Sequence, residues 1–203
     1  MLMLRLYDYL PSGNGYKVRL LLTHLGIPFE WIELDILKGE TRTPDFLQKN
    51  PNGRIPVLEL EPGQFLAESN AILFYLAEGT PFLPQDRWAR AQVLQWLCFE
   101  QYSHEPHIAT ARFWLMHGEV TEERRAALPQ KRTLGYAALD VMEKHLTSRL
   151  FFVGDRYAIA DIALFAYTHV AHEGGFDLSN YPNIRAWLDR VRTQPKHISI
   201  TQG

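Results

Sequence analysis

The chain has 203 residues, 46% hydrophobic and 22% charged, ordinary values for a globular protein long enough to bury a full core without staples. Its 21 Lys and Arg against 23 Asp and Glu leave a formal charge of −2, which excludes the strongly basic surface of a nucleic-acid-binding protein. The lone Cys98 excludes an intramolecular disulfide and suits a reducing, cytoplasmic setting. No stretch approaches the roughly 18 apolar residues of a membrane span.

Residues 2–8 alternate and end in Tyr7-Asp8-Tyr9, a first strand. The turn formers Pro11-Ser12-Gly13-Asn14-Gly15 follow. From Tyr16 to Leu25 the period becomes helical, with Val18, Leu21, Leu22 and Leu25 on one face. Gly26 caps that helix and Pro28 prevents its resumption. Residues 29–34 read as a second strand, parallel to the first because a crossover helix joins them. A loop with a short helix near Thr43 ends at Asn50-Pro51-Asn52-Gly53. Residues 55–60 form a strand, Glu61-Pro62-Gly63-Gln64 a turn, and Phe65-Leu66-Ala67 its hairpin partner. A helix then starts at Ser69. The order is βαβαββα over residues 1–78.

Residues 79–85 form a linker with two prolines and a glycine, and beyond it the strand signals disappear. Residues 86–117 predict a long helix bent near Pro106. Residues 121–147 predict one helix or two, since Pro129 interrupts the period. Residues 159–171 are apolar on nearly every side, a buried helix. Residues 181–192 are amphipathic, with Ile184, Trp187, Leu188 and Val191. The fold class is therefore α+β in two domains: 1–78 mixed, 86–203 all-helical.

Three segments carry a resemblance. They are Ser12-Gly13-Asn14-Gly15-Tyr16-Lys17, Asn50-Pro51-Asn52-Gly53-Arg54-Ile55-Pro56-Val57, and Glu68-Ser69-Asn70-Ala71-Ile72. In this order and spacing they resemble the glutathione S-transferase superfamily, in its serine (theta-like) and related bacterial branches. Val153-Gly154-Asp155 with Ile159-Ala160-Asp161 extends the likeness to the second half. The resemblance implies a thioredoxin-like first domain that binds glutathione, and a helical domain that shapes the second substrate's pocket. It also implies a homodimer acting in detoxification; charge and hydropathy add the expectation of a cytoplasmic protein with no membrane or nucleic-acid partner, and the sparse His104/His107 and His169/His172 spacings that of no metal.

The resemblance assigns roles residue by residue. Pro56 would follow a cis bond, and Ile55 would offer its backbone to the cysteinyl part of glutathione. Glu68 would take the γ-glutamyl ammonium. Ser69, at a helix N-terminus that favours anions, would take the γ-glutamyl carboxylate. Arg54 would lie near the glycyl carboxylate. For the thiol, Ser12 is the first candidate donor, Asn14 its competitor, and Tyr7 an outsider from the tyrosine-type pattern. Lowering a thiol from about 8.5 to about 6.5 requires roughly 2.7 kcal/mol. A hydrogen bond involving a charge supplies about 1.5–3 kcal/mol, and a helix N-terminus about 0.3–1, so one donor and one helix suffice. His107, Phe113 and Trp114 are candidates for the hydrophobic pocket. The expected activity is glutathione transfer to a hydrophobic electrophile. Glutathione-dependent reduction of disulfides or peroxides is the alternative, and a non-catalytic glutathione-binding or scaffold protein is a third.

Overall fold

The computed structural model describes residues 3–202. They fall into two compact units: the chain up to Glu78 together with the segment from Pro195 onward, and Gly79–Gln194. The second unit thus ends nine residues before the expected boundary at 203, because the last segment packs with the first unit.

In the first unit, β1 (Leu4–Asp8), β2 (Phe29–Glu33), β3 (Val57–Glu61) and β4 (Gln64–Ala67) form one sheet in the order β2-β1-β3-β4. β1 and β2 are parallel, with Leu6 opposite Trp31. β3 is antiparallel to both β1 and β4. The helices are α1 (Gly13–Leu25), α2 (Pro44–Lys49) and α3 (Ser69–Ala77). This is the expected βαβαββα thioredoxin-like order. Val18, Leu20, Leu21 and Leu22 of α1 are fully buried, as are Leu6, Leu58, Ile72 and Leu73. A separate cluster of Tyr7, Phe46 and Val57 gathers Ile32, Leu34, Ile55 and Phe65 around it.

Local chemistry fixes the ends of α1. Ser12 Oγ accepts from Gly15 N at 3.3 Å as the N-cap. Gly26, at φ 67°, closes the other end with a left-handed geometry that glycine adopts freely. The terminal segment is held to α1 by buried polar groups. Tyr16 Oη donates to Ile198 O at 2.7 Å, and the Arg19 guanidinium donates to Leu10 O at 2.7 Å and Ile200 O at 3.2 Å.

In the second unit, α4 (Arg87–Phe99) passes through a π-helical turn, Glu100–His104, into α5 (Glu105–Met116). The bend expected near Pro106 is this turn. Proline has no N–H and its ring crowds the carbonyl four residues back, so the regular ladder cannot run through it. α6 (Glu122–Leu146) is one helix despite Pro129. α7 (Ile159–Thr168) is buried at every residue and packs against α4, α5 and α8 (Pro182–Arg192). Asp161 anchors it. One oxygen accepts from Phe152 N at 3.0 Å and Trp187 Nε1 at 2.9 Å, the other from Ala158 N at 3.0 Å.

Candidate functional site

The first unit gathers the sequence-predicted residues at two helix N-termini. Ser12 precedes α1, and its hydroxyl proton remains to be donated while its oxygen caps the helix. Asn14 lies in the first turn. Its Oδ1 accepts from Lys17 Nζ at 2.8 Å and from Ser69 Oγ at 3.1 Å. Ser69 is the first residue of α3, so residues 55 apart in sequence join the opening turn of α1 to the start of α3.

Glu68 is exposed and adopts φ 68°, ψ 111°. A non-glycine side chain there costs on the order of 1–3 kcal/mol and persists where surrounding structure imposes it. Glu68 makes no side-chain cap to α3. Its carboxylate is therefore not spent on the helix's own N–H groups, and the α3 N-terminus keeps its positive end for an anion.

The Ile55–Pro56 bond is cis, as the resemblance implied, and β3 begins only at Val57. Ile55 packs its side chain on the Tyr7–Phe46–Val57 cluster. Asn50 shapes the loop ahead of it. Its Nδ2 donates to Arg54 O at 2.8 Å and its Oδ1 accepts from Asn52 N at 3.1 Å. Gly53 completes the turn at φ 61°. Arg54 itself is exposed.

Tyr7 is engaged elsewhere. Its Oη donates to Glu59 Oε2 at 2.9 Å, and its ring meets Phe46 and Phe65 edge-on. Burial, then the Glu59 hydrogen bond, push it up to about 12. It is a structural tyrosine within the sheet.

Beneath the thiol loop, Asp8 and Arg19 form a fully buried pair, Nε to Oδ2 at 2.9 Å. Burial pushes Asp8 up to about 7 despite the guanidinium, which pulls it down.

The hydrophobic-pocket candidates lie on α5 and do not form one group. Trp114 stacks near the cations of Arg124 and Lys131, at 5.9 and 5.8 Å. Burial and the Lys131 charge hold His107 below the usual imidazole value. Phe113 is instead exposed and pairs with His117 at 4.7 Å. His104 is fully buried and bonds Thr168 Oγ1 at 2.8 Å.

Sequence reasoning missed Lys17, Asn50 and the backbone of Glu68. Lysine reads as a surface residue and Asn50 reads as a generic turn former, so neither stands out. Among the described residues, no three His, Cys, Asp or Glu side chains gather as a metal site. Nor, among the described residues, is any helix long and apolar enough to cross a membrane.

A glutathione S-transferase from Pseudomonas fluorescens Pf-5 superposes with a TM-score of 0.96 at 55% identity, over 99% of this chain and 100% of that one. A glutathione transferase from Burkholderia graminis, crystallised with two glutathione molecules per subunit, gives 0.83 at 29% identity over 96% and 85%. The disulfide-bond oxidoreductase YfcG of Escherichia coli K12 is 30% identical over 95% of this chain and 92% of its own. Residues 2–78 match the glutathione S-transferase N-terminal domain and residues 95–195 the C-terminal domain. With the cis-proline loop, the two helix N-termini and the helical second unit already in place, the chain belongs to the glutathione S-transferase family.

Proposed function

We propose that the protein is a glutathione transferase that ionises the glutathione thiol at the opening turn of α1. The observation that carries this reading is the 3.1 Å contact between Asn14 and Ser69. It ties the turn that carries the candidate thiol donors to a helix start suited to an anion, so the two ends of a γ-glutamyl-cysteinyl ligand would meet neighbouring groups. Ser12 is the first donor to the sulfur and Asn14 the second. Ser69 and the α3 N-terminus hold the γ-glutamyl carboxylate, and Glu68 holds the ammonium. Ile55, before cis Pro56, offers its backbone to the cysteinyl unit, and Arg54 is available to the glycyl carboxylate. The proton leaves to solvent. The thiolate then forms a C–S bond with an electrophilic carbon, whose leaving group departs with the bonding pair. Catalysis comes from thiolate stabilisation and proximity.

Helix α5 supplies residues of the electrophile pocket, with Phe113 as its exposed aromatic, Trp114 toward α6 and His107 a third candidate. The family supports a cytoplasmic homodimer and a role in detoxification.

Glutathione-dependent disulfide reduction is the second reading. It is favoured by the likeness to YfcG and by the two glutathione molecules in the Burkholderia neighbour. In it a second glutathione supplies the reducing sulfur, which fits a loop with no cysteine. Turnover of a chloronitroaromatic acceptor against hydroxyethyl disulfide separates the two. Transfer faster by about tenfold or more supports the first; turnover of the disulfide alone supports the second. Calorimetric binding of glutathione with turnover of neither leaves a binding protein.

A further inference from the structure

We propose that Lys17 is a positioning residue for the thiolate, acting through Asn14. The inference rests on the transferase reading and adds to it a residue that never touches the sulfur. Lys17 is fully buried. Its Nζ donates to Asn14 Oδ1 at 2.8 Å and lies 3.5 Å from Ser69 Oγ, while Ser69 Oγ donates to the same Oδ1 at 3.1 Å.

An ammonium has only donors, and an amide oxygen only accepts. The face of Asn14 toward Lys17 must therefore be its oxygen. Two donors on that oxygen place the Nδ2 hydrogens on the far side of the amide carbon. Turning the amide over would set its NH2 against a buried ammonium and a hydroxyl, donor facing donor, at the cost of the Nζ–Oδ1 bond. The positive charge also draws electron density toward Oδ1, which makes the opposite N–H groups better donors.

The same geometry makes Ser69 shared. Its hydroxyl has one proton, and that proton goes to Asn14 in this arrangement. A γ-glutamyl carboxylate that takes it leaves Lys17 as the donor still holding Oδ1. Lys17 thus continues to orient Asn14 once the ligand is in place.

The test is the ionisation of bound glutathione, followed by thiolate absorbance against pH, in the wild type and in K17M, K17R, N14A and K17M/N14A. K17M should raise the bound thiol's pKa by about one unit, a tenfold loss of thiolate below it. K17R should recover most of that loss. In the N14A background, K17M should change the thiolate fraction by less than about twofold. Affinity for S-methylglutathione, which has no ionisable sulfur, should stay within about twofold in K17M, whereas a general collapse of the site would lower it equally. If K17M does not fold, K17Q, which keeps a donor and loses the charge, should give a smaller upward shift. An unshifted pKa in K17M overturns the proposal, and so does an equal shift with and without Asn14. Failure of the wild type to bind glutathione overturns the transferase reading and this inference together. Wild-type binding with a lowered thiol pKa, unmoved by K17M or K17Q, overturns this inference alone.

Discussion

Gly15 and Asp8 approach so closely that a Cβ on Gly15 would lie 1.5 Å from Asp8 Oδ1 and 2.0 Å from its Cγ. The first turn of α1 therefore rests directly on a buried carboxylate. That carboxylate is held by Arg19, whose other donors reach Leu10 O and Ile200 O. The loop bearing Ser12 and Asn14 is set at one height above the sheet by this contact.

Gly15→Ala should then be strongly destabilising. The methyl group would have to displace the Asp8 carboxylate from Arg19, and breaking a buried pair costs about 3–5 kcal/mol. Urea unfolding above pH 7, where Asp8 is ionised, should show a loss in that range. A loss under about 1 kcal/mol would mean the loop can lift without disturbing the pair.

Two buried carboxyls set a pH dependence. Burial pushes Asp8 up from 3.8 to about 7, and likewise Asp161, against its three N–H donors. Between these values the folded chain keeps protons that the unfolded chain has released, so folding takes up protons. Stability should fall as pH rises from about 4 to about 7 and level off above, as far as these two groups decide it. Asp161→Asn should flatten part of that slope. It should also lower stability, most at low pH and less as pH rises toward 7, because an amide cannot accept from all three donors. Stability rising through this window by pH-series denaturation, or an unchanged slope in the variant, would contradict the assignment.

The N-cap role of Ser12 and its proposed role as thiol donor separate by readout. Ser12→Ala removes the cap to Gly15 and should cost about 1 kcal/mol in thermal or urea unfolding. It should also raise the bound thiol's pKa. A variant that loses stability while leaving that pKa in place would pass the donor role to Asn14.

Tyr7→Phe makes the complementary case. The hydroxyl serves Glu59, so its loss should lower stability by about 1 kcal/mol and leave the ionisation of bound glutathione untouched. A raised thiol pKa in this variant would return Tyr7 to the site.

Most elements were legible because their periods are clean. The apolar face of α1 between its turn-rich start and Gly26, the wholly apolar run from Ile159, and the proline-glycine turn between β3 and β4 each have a direct physical signature. Other features depend on contacts remote in sequence. Pro106 marks a disturbance, but whether it yields a kink or the π turn at Glu100–His104 is decided by packing. Pro129 suggested a break that the surroundings of α6 do not require. The return of residues from Pro195 onward to α1 depends on Arg19 and Tyr16 donating to backbone carbonyls of the tail, groups that every residue possesses. In the site, Ser12, Asn14, Pro56 and Ser69 stood out because they lie in the three segments that carry the family resemblance, at a turn, a strand start and a helix start. Lys17 did not, since only the fold reveals that it is buried against Asn14 and Ser69.

The ionisation of glutathione bound to the unmodified protein tests the central claim most directly. Followed by thiolate absorbance at saturating glutathione, the thiol should titrate about two units below its free value of about 8.5, and Ser12→Ala or Asn14→Ala should move it back up. A bound thiol that titrates at its free value, or one indifferent to both substitutions, would contradict an ionising site at the start of α1.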